Sequence, residues 1–341
     1  MKVGFIAPLG IAAVNGGVRT QAQQTAIHLE KLGVEVQFIS TWSDSLYVDL
    51  VHVFVAGPDT LGIIKRCTEL GIKVVLSPVF FSNRSASTIS TSLKVEKILS
   101  AIGSGIRSDF GIKAQACSLA DKVLPNTNAE KELIHNGFGI STRKIEVVPN
   151  GVELRFAEAT PDLFTDTYGI KDFVLFVGQS GAPRKNVIKL LEVAPSINSQ
   201  VVIIGSFYDD EYGSRCKTLA NKASNVTLIE TLEHNSELLE SAYATCHTFI
   251  LPSLFETPGI AAMEAALTGA NVVITNKGGT EDYFGNFAEY VSPSSLTSIK
   301  KGLNKSLAKG KQSSLAAHIK DSFSWEVVAS KTLAVYKGLV D

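Results

Sequence analysis

Short apolar runs rich in β-branched residues alternate along the chain with longer amphipathic stretches. In the first half of the chain this pattern predicts strands at 3–7, 34–39, 50–55 and 74–76, and helices at about 19–32, 59–70 and 113–120. Strands that are apolar throughout and lie between helices are typical of a parallel sheet with both faces covered. The Ser- and Thr-rich stretch at 82–92 is compositionally biased, and we predict that it is a mobile loop.

The same pattern begins again after Pro149, Asn150, Gly151 and Val152. A polar segment ends near Asp172, and further strands are predicted at 173–178, 201–205, 226–229, 248–251, 271–275 and 289–291. A chain of 341 residues also exceeds what one hydrophobic core usually organises. We therefore predict an α/β protein with two doubly wound, Rossmann-like domains, whose parallel strands open at their carboxyl ends onto a shared cleft.

The restart of the pattern sets the predicted domain boundaries. The first domain takes residues 1–160 and the second takes residues 161–322. The last segment, 323–341, begins with Phe323, Ser324 and Trp325 and has the pattern of an amphipathic terminal helix.

Composition narrows the range of partners. The chain has 32 Lys and Arg against 33 Asp and Glu, a formal net charge of -1, so nucleic acid is not expected as a partner. Cys67, Cys117, Cys216 and Cys246 form no C-x-x-C pair, which favours reduced cysteines in a cytoplasmic protein. No apolar run reaches the ~18 residues of a spanning helix, so any membrane contact is expected to be peripheral, at the inner face of the membrane.

A pair of glycines lies between the first predicted strand and the first predicted helix. In the run Asn15, Gly16, Gly17 and Val18, the glycines permit positive φ and let the backbone approach a ligand closely. The N-terminus of the following helix favours negative charge. Gly16 and Gly17 are therefore candidate ligand-binding residues, with a simple turn as the alternative.

A second glycine-containing loop follows the strand predicted at 173–178. It contains Gly178, and then Arg184 and Lys185 just before a helix predicted to start near Asn186. Arg supplies a forked donor and Lys supplies a point charge, and the two together suit a diphosphate. The alternative is a solvated loop with two surface charges.

The segment 252–265 places two carboxylates around the start of a helix. Glu256 follows a predicted buried strand, and Glu264 lies inside the helix that comes next. Gly259 and Ile260 present free backbone amides where that helix begins, and such amides bind phosphate. Carboxylates accept hydrogen bonds from sugar and ribose hydroxyls. Because the neighbours of Glu264 are apolar almost all round, we predict a buried carboxylate that needs a partner.

The histidines indicate no metal site. None of the six shows metal-ligand spacing, and no cluster of carboxylates calls for a divalent ion. His52 lies in a predicted strand, where a hydrogen-bonded core histidine is favoured over a ligand.

Together these segments resemble the retaining glycosyltransferases of family four, often called group 1 glycosyl transferases. Glu256-x7-Glu264 with Gly259 resembles the family signature, and residues 183–186 resemble its diphosphate-binding loop. Residues 15–18, 147–152 and 323–325 resemble its N-terminal glycine loop, its pre-linker motif and the start of its terminal helix. The segments fall in family order, and the resemblance covers nearly the whole chain.

The resemblance implies the GT-B fold, with an acceptor site in the first domain, a donor site in the second, and a terminal helix that crosses back to the first. It implies that Glu256 holds hydroxyls of the donor sugar and that Glu264 holds the ribose. The amides of Gly259 and Ile260 would bind phosphate.

The resemblance also implies how the leaving group is held. Arg184 and Lys185, in the loop that starts with Gly178, would bind the departing diphosphate, and Gly16 and Gly17 would lie close to it from the other side.

The implied reaction is retaining, metal-independent transfer of a hexosyl group. The donor is a UDP- or GDP-sugar acting as co-substrate, the acceptor is a glycan or a lipid-linked glycan, and no cofactor or metal is expected. Work of this kind is common in polysaccharide biosynthesis.

Two departures from the family pattern leave alternatives open. Gln179 stands where many members carry Arg, and residues 77–81 replace a His-Asp pair that many members carry near the sugar. A non-catalytic subunit that binds a partner transferase and a GT-B-like nucleotide-sugar epimerase are the competing interpretations.

Four basic residues suggest where an acceptor would bind. Lys94, Lys97, Arg107 and Lys113 would form a basic face for a lipid-phosphate acceptor or an anionic membrane, with a solvated surface as the alternative.

Overall fold

Parallel strands in two separate sheets organise this protein. The computed structural model describes residues 1–12, 16–39, 46–101, 103 and 107–340. The chain divides into two units: unit 1 comprises Met1–Gly151 together with Trp325–Asp341, and unit 2 comprises Val152–Ser324. Unit 1 is thus discontinuous, because its last segment follows unit 2 in the chain.

The sheet of unit 1 is parallel throughout its described strands. These are β1 (Lys2–Ile6), β2 (Glu35–Phe38), β3 (Leu50–Phe54), β4 (Lys73–Ser77) and β5 (Lys122–Val123). Their order is β2-β1-β3-β4-β5. The direction of winding changes at β1, and such a change leaves a crevice at the carboxyl ends of β1 and β3.

Helices cover the sheet of unit 1. They are α1 (Gly17–Lys31), α2 (Pro58–Glu69), α3 (Ala86–Ala101), α4 (Asp109–Leu119) and α5 (Asn128–Glu132), and a π-helical turn follows at Leu133–Gly137. A 3-10 turn lies at Leu9–Ala12 and another lies at Thr142–Lys144.

The prediction of a mobile loop at 82–92 is wrong from residue 86 onward, because α3 begins there. The backbone amide of Thr88 donates to Ser85 Oγ at 3.2 Å, a capping bond that starts the helix. Ile89 is fully buried, and Leu93, four residues further, packs against the same core cluster. These two residues supply the apolar stripe that the Ser- and Thr-rich composition obscures.

The sheet of unit 2 carries the strands that the second half of the sequence predicts. They are β6 (Val174–Val177), β7 (Val201–Ile204), β8 (Val226–Ile229), β9 (Thr248–Leu251), β10 (Asn271–Thr275) and β11 (Glu289–Val291). All pair in parallel, in the order β11-β10-β9-β6-β7-β8. The chain winds one way from β6 to β8 and the other way from β9 to β11. The crevice at a change of winding therefore lies at the carboxyl ends of β6 and β9.

The helices of unit 2 complete a doubly wound α/β fold. They are α6 (Asp162–Tyr168), α7 (Val187–Val193), α8 (Glu211–Lys222), α9 (Glu237–Thr245), α10 (Ile260–Leu267), α11 (Thr280–Phe284), α12 (Leu296–Leu307) and α13 (Ser313–Phe323). Single 3-10 turns lie at Leu154–Glu158, Pro183–Lys185 and Ala194–Ser196. Cys67 and Cys117 in unit 1 and Cys216 and Cys246 in unit 2 are buried free thiols.

The terminal helix α14 (Trp325–Val340) returns to unit 1 and packs against α1, as the sequence predicts. Trp325 is 1% exposed, and its ring lies so close to Gly151 that a Cβ there would come within 2.4 Å of it. Further along α14, Tyr336 is also fully buried.

His52 on β3 is a core histidine, as the sequence favours. Its Nδ1 lies 2.6 Å from Tyr336 Oη and its Nε2 lies 2.9 Å from Ser77 Oγ. Burial lowers the pKa of His52 to about 3, so the ring is neutral at physiological pH. It therefore joins α14 to β3 and β4 and is not a ligand-binding group.

Candidate active site

Two loops meet at the crevice of the unit 2 sheet. One follows β6 and contains the turn Pro183–Lys185, and the other follows β9. The amide of Leu254 donates to the carbonyl oxygen of Arg184 at 2.8 Å, and the Asn186 side chain donates to the carbonyl oxygen of Pro252 at 2.9 Å. These bonds fix the two loops against each other, so the side chains that they carry are positioned together.

The two loops bring three charged side chains together. Lys185 Nζ lies 2.7 Å from Glu256 Oε1, and one guanidinium nitrogen of Arg184 lies 3.3 Å from the same oxygen. The carboxyl group of Glu256 is buried, whereas the side chain of Arg184 is 40% exposed. Sequence analysis selected all three residues as catalytic candidates, and the structure places them in one cluster.

Charge governs the ionisation of Glu256. Burial alone would raise the pKa of this carboxyl group, but the neighbouring Lys185 and Arg184 outweigh it and hold the pKa below its usual value. Glu256 is therefore ionised at neutral pH, and it can accept hydrogen bonds from hydroxyl groups.

The backbone of Glu256 is held by the loop after β10. Its amide donates to the carbonyl oxygen of Lys277 at 3.1 Å, and its carbonyl oxygen accepts from the amide of Gly279 at 3.0 Å. Gly278 has φ +94, and a Cβ there would lie 2.0 Å from the carbonyl oxygen of Glu256. Only glycine allows this close approach in the left-handed region.

The helix that carries Glu264 begins at the same edge of the sheet. Gly259 caps the N-terminus of α10 with φ +89 and ψ 65, and Ile260 is the first residue of the helix. Backbone amides in a first helical turn have no partner within the helix, and the helix dipole favours an anion there. Gly178, at the end of β6, also has a positive φ, of +152. Thus the structure places Gly178, Gly259 and Ile260 at the carboxyl edge of the sheet.

Glu264 is buried, as its apolar neighbours predict, and both of its oxygens have partners. Oε1 lies 2.7 Å from His234 Nε2, and Oε2 accepts from Tyr243 Oη at 2.8 Å. Tyr243 is fully buried on α9, whereas the side chain of His234 is 49% exposed. Burial raises the pKa of Tyr243 well above its usual value, so its hydroxyl remains a donor.

His234 lies in the loop after β8 and has charged neighbours on its second nitrogen. The hydrogen bond that the His234 ring donates to Glu264 raises the pKa of His234. Glu153 approaches His234 Nδ1 to 3.6 Å, and Arg155 Nη2 lies 3.4 Å from the same atom and donates to the His234 carbonyl oxygen at 2.6 Å. Sequence analysis dismissed His234 as lacking metal spacing and did not consider Tyr243, because no local pattern signals either contact.

The raised pKa of His234 leads to a pH-dependent stability prediction. A folded pKa above the unfolded value means that protonated His234 stabilises the fold below about pH 6.5. This contribution is lost as the pH rises through the folded pKa. His234→Gln should therefore lower the thermal midpoint at pH 6, and the difference from the wild type should shrink toward pH 9. His247→Gln serves as a control that does not contact Glu264. A difference independent of pH would contradict the Glu264 pairing.

Gly16 and Gly17 lie in unit 1, where Gly16 precedes α1 and Gly17 is the first residue of that helix, at the crevice of the unit 1 sheet. Gly16 caps α1 with φ -177 and ψ 171, an extended conformation that any residue adopts, so its φ does not require glycine. A Cβ on Gly16 would meet no atom of the described residues within 4 Å, which is consistent with a backbone that a ligand can approach. Asn15, the first residue of this motif, lies outside the described residues.

Among residues 1–12, 16–39, 46–101, 103 and 107–340, no three His, Cys, Asp or Glu side chains are grouped so as to hold a metal ion. In the same part of the chain, no helix has the combined length and apolarity needed to cross a membrane.

Residues 165–320 match the family model described as Glycosyl transferases group 1. These residues, less than half of the chain, are therefore similar to the group 1 glycosyl transferases. The matched stretch contains Arg184, Lys185, Glu256 and Glu264, so all four charged candidates lie within the glycosyltransferase match.

Two glycosyltransferases are among the curated proteins similar to this chain. An uncharacterized glycosyltransferase of Methanocaldococcus jannaschii is 25% identical over 236 residues, which are 63% of this chain and 60% of that protein. The D-inositol 3-phosphate glycosyltransferase of Paenarthrobacter aurescens is 25% identical over 248 residues, 65% of this chain and 58% of that protein. The matched part of this chain spans about three fifths of the length of these curated relatives.

Solved structures show the fold. Sucrose-phosphate synthase from Thermosynechococcus elongatus superposes with a TM-score of 0.78 at 16% identity, covering 99% of each chain. HepE from Anabaena, solved in complex with UDP-glucose, gives a TM-score of 0.71 at 14% identity, covering 98% of this chain and 100% of that one. The GT-B glycosyltransferase fold predicted from the motifs is thereby confirmed.

Proposed function

We propose that this chain transfers a hexosyl group from a UDP- or GDP-sugar to a glycan or a lipid-linked glycan. One observation carries the proposal: Lys185 and Arg184 flank the buried Glu256 carboxylate at the crevice of the unit 2 sheet. Two cations beside an ionised carboxylate suit a ligand that combines a diphosphate with sugar hydroxyls. HepE, a protein of the same fold, was solved with UDP-glucose, which supports a nucleotide sugar as the donor.

The two cations would stabilise the leaving group. As the glycosidic bond of the donor breaks, negative charge grows on the nucleoside diphosphate. Lys185 and Arg184 are held in place by Glu256 before the donor arrives, so they need little reorganisation when that charge develops. The amides at the start of α10 would bind the phosphates in the same way. We propose on this basis that no metal is needed.

The carboxylates would orient the donor. Ionised Glu256 would accept hydrogen bonds from hydroxyls of the sugar through lone pairs that Lys185 and Arg184 do not use. One oxygen of Glu264 is hydrogen-bonded to His234 and the other to Tyr243. A carboxylate accepts about four hydrogen bonds, so each oxygen can accept another. Ribose hydroxyls can therefore bind Glu264 without breaking the contact with buried Tyr243.

Retention of configuration is part of the proposal and follows from the family resemblance. The acceptor hydroxyl would attack from the face that the leaving group vacates. Diphosphate oxygens held by Lys185 and Arg184 would remain on that face, where they can take the proton of the attacking hydroxyl.

A donor-binding panel tests the proposal first. We expect one of the UDP-, GDP- or ADP-sugars to raise the melting temperature, since a ligand at 100 times its Kd adds ~2.7 kcal/mol of stability. A transfer assay with the donor that binds is then run in the presence of EDTA. The anomeric configuration of the transfer product is determined by NMR.

The outcomes of the panel separate the competing interpretations. Transfer in EDTA with retained configuration supports the proposal in full. Donor binding without turnover over a broad acceptor panel would instead identify a non-catalytic subunit, and conversion of the donor to an epimer without acceptor would identify an epimerase. Absence of binding by any nucleotide sugar would reject the donor site.

A further inference from the structure

His234 contacts Glu264 but has no role in the proposed transfer. Both residues belong to unit 2, His234 in the loop after β8 and Glu264 on α10. His234 Nε2 lies 2.7 Å from Glu264 Oε1, and a carboxylate oxygen only accepts hydrogen bonds, so the ring donates through Nε2. The side chain of His234 is 49% exposed, whereas that of Glu264 is 5% exposed. His234 thus connects a buried carboxyl group with the surface.

Two donors on opposite oxygens fix the plane of the Glu264 carboxyl group. The terminal torsion of a Glu side chain has a broad minimum, so a single hydrogen bond allows the carboxyl group to rotate. Tyr243 Oη donates to Oε2 at 2.8 Å, and the bond from His234 to Oε1 completes the constraint. A carboxylate has about four acceptor sites, which leaves one on each oxygen. Two such sites on one carboxylate match the adjacent 2′- and 3′-hydroxyls of a ribose.

His234 is itself held in place by Arg155. Arg155 Nη2 donates to the His234 carbonyl oxygen at 2.6 Å, and Arg155 Nη1 pairs with Glu240 on α9. Tyr243 lies on the same helix as Glu240. Helix α9 therefore supports both donors to the carboxyl group of Glu264, Tyr243 directly and His234 through Arg155.

The charge state of the His234 ring does not remove its bond to Glu264. Arg155 Nη2 lies 3.4 Å from His234 Nδ1 and suits a neutral ring that accepts at that atom. Glu153 lies 3.6 Å from the same nitrogen and suits a protonated ring. In either case Nε2 carries the proton that faces Glu264. His234 can therefore hold the carboxyl group throughout its own titration.

We propose that His234 is a positioning residue that makes the donor site select a ribonucleotide. It holds the Glu264 carboxyl group in the plane in which the remaining acceptor site of each oxygen meets a ribose hydroxyl. A deoxyribonucleotide lacks one of these hydroxyls and leaves one acceptor site of a buried carboxylate unpaired. This inference rests on the proposed function, since it concerns the ribose of the nucleotide-sugar donor.

Binding of nucleoside diphosphates to the full chain, measured by titration calorimetry, tests the proposal. The probe is UDP or GDP, whichever binds more tightly, and it is compared with its 2′-deoxy counterpart. The wild type should prefer the ribonucleotide about tenfold or more, as expected for a hydrogen bond to a charged group. In His234→Ala this preference should fall below about threefold. Because each affinity ratio is measured on one variant, loss of folded protein cancels, and an unchanged ratio would overturn the proposal.

Two further variants separate the hydrogen bond from the bulk of the ring. His234→Gln places an amide N–H near the position of Nε2 and should keep the ribose preference within about twofold of the wild type. His247→Ala is the matched control, because His247 precedes β9 at the opposite edge of the sheet and its Nδ1 lies 3.0 Å from Thr248 Oγ1. It should leave the preference unchanged. If Gln lowered the preference as far as Ala does at position 234, the donor would not be the part of His234 that matters, and the positioning role would be wrong.

A double-mutant cycle separates positioning from direct contact with the nucleotide. His234→Ala should weaken ribonucleotide binding at least about threefold in the wild type, but less than about twofold once Glu264→Gln has removed the carboxylate. An equal loss in both backgrounds would mean that His234 binds the nucleotide itself, which contradicts the positioning role.

The same titrations distinguish this inference from the proposed function. If neither UDP nor GDP bound the wild type, the donor site would be rejected and the role of His234 with it. If the ribonucleotide bound and its preference over the deoxyribonucleotide survived in His234→Ala, only the role of His234 would be rejected.

Discussion

Lys185→Ala is expected to slow the release of nucleoside diphosphate from the bound donor about 100- to 1,000-fold. Lys185 Nζ lies 2.7 Å from Glu256 at the crevice of the unit 2 sheet, where the leaving diphosphate would develop its charge. Loss of one preplaced donor to such a charge typically raises a barrier by ~2.7–4 kcal/mol. The measurement is the initial rate at saturating donor, using the nucleotide sugar that binds most tightly.

Stability must be measured beside the rate, because Lys185 also neutralises a buried carboxylate. In the variant, Glu256 loses one of its two cationic neighbours and keeps Arg184, so a lower melting temperature is expected as well. Rates are therefore compared well below that temperature. Lys189→Ala is the matched control: Lys189 forms an ion pair with Glu192 on α7 and should keep the wild-type rate. If Lys185→Ala retained a tenth of the rate or more, another group would have to stabilise the leaving group.

Trp325→Ala is expected to destabilise unit 1 by ~3–5 kcal/mol, the usual cost of truncating a large buried aromatic residue. Trp325 is 1% exposed, and its ring packs on Gly151, where the chain passes from unit 1 to unit 2. The measurement is the denaturant midpoint of unfolding, followed by circular dichroism. Because two units need not unfold together, the shift should appear in the transition of unit 1.

The control for this prediction lies on the same helix. Lys331 is exposed on α14, and Lys331→Ala should shift the midpoint by less than ~0.5 kcal/mol. A loss below ~1 kcal/mol in Trp325→Ala would mean that the ring is not packed in the core of unit 1.

Most of the strands could be predicted from sequence because each is a short apolar run bounded by polar residues. In unit 2, β8 (Val226–Ile229), β9 (Thr248–Leu251) and β10 (Asn271–Thr275) have the predicted ends. β9 and β10 are buried at every position, as expected for strands with both faces covered, whereas β8 lies at the edge of the sheet and is only partly buried. By contrast, β5 (Lys122–Val123) was not predicted, because two residues are too few to show a hydrophobic pattern.

Helix α3 shows why composition misleads. Its first half is rich in Ser and Thr, which compete with the helix for backbone hydrogen bonds and usually indicate a loop. Burial of Ile89 against the rest of unit 1 overrides that preference. The contact is tertiary, so no window of sequence around Ile89 reveals it.

The candidate site was predictable only one segment at a time. The motifs select Lys185 and Glu256 separately, and the two residues are 71 positions apart in the chain. The motifs do not show that the two side chains pair. Their meeting depends on β9 lying next to β6, which places the two loops on either side of the change of winding. The contact of Glu264 with His234 depends likewise on the path of the loop after β8, which only the folded chain fixes.

The discontinuity of unit 1 also sets an order for folding during synthesis. Residues 152–324 are translated before Trp325 and the rest of α14, so all of unit 2 is made before unit 1 receives its last helix. At ~5–20 residues per second, that delay is roughly 9–35 s. During this time the apolar residues that α14 covers, including Ala26 and Leu29 of the same core cluster, remain open to water. On the ribosome, the nascent N-terminal unit is therefore the part of this protein that most needs a chaperone.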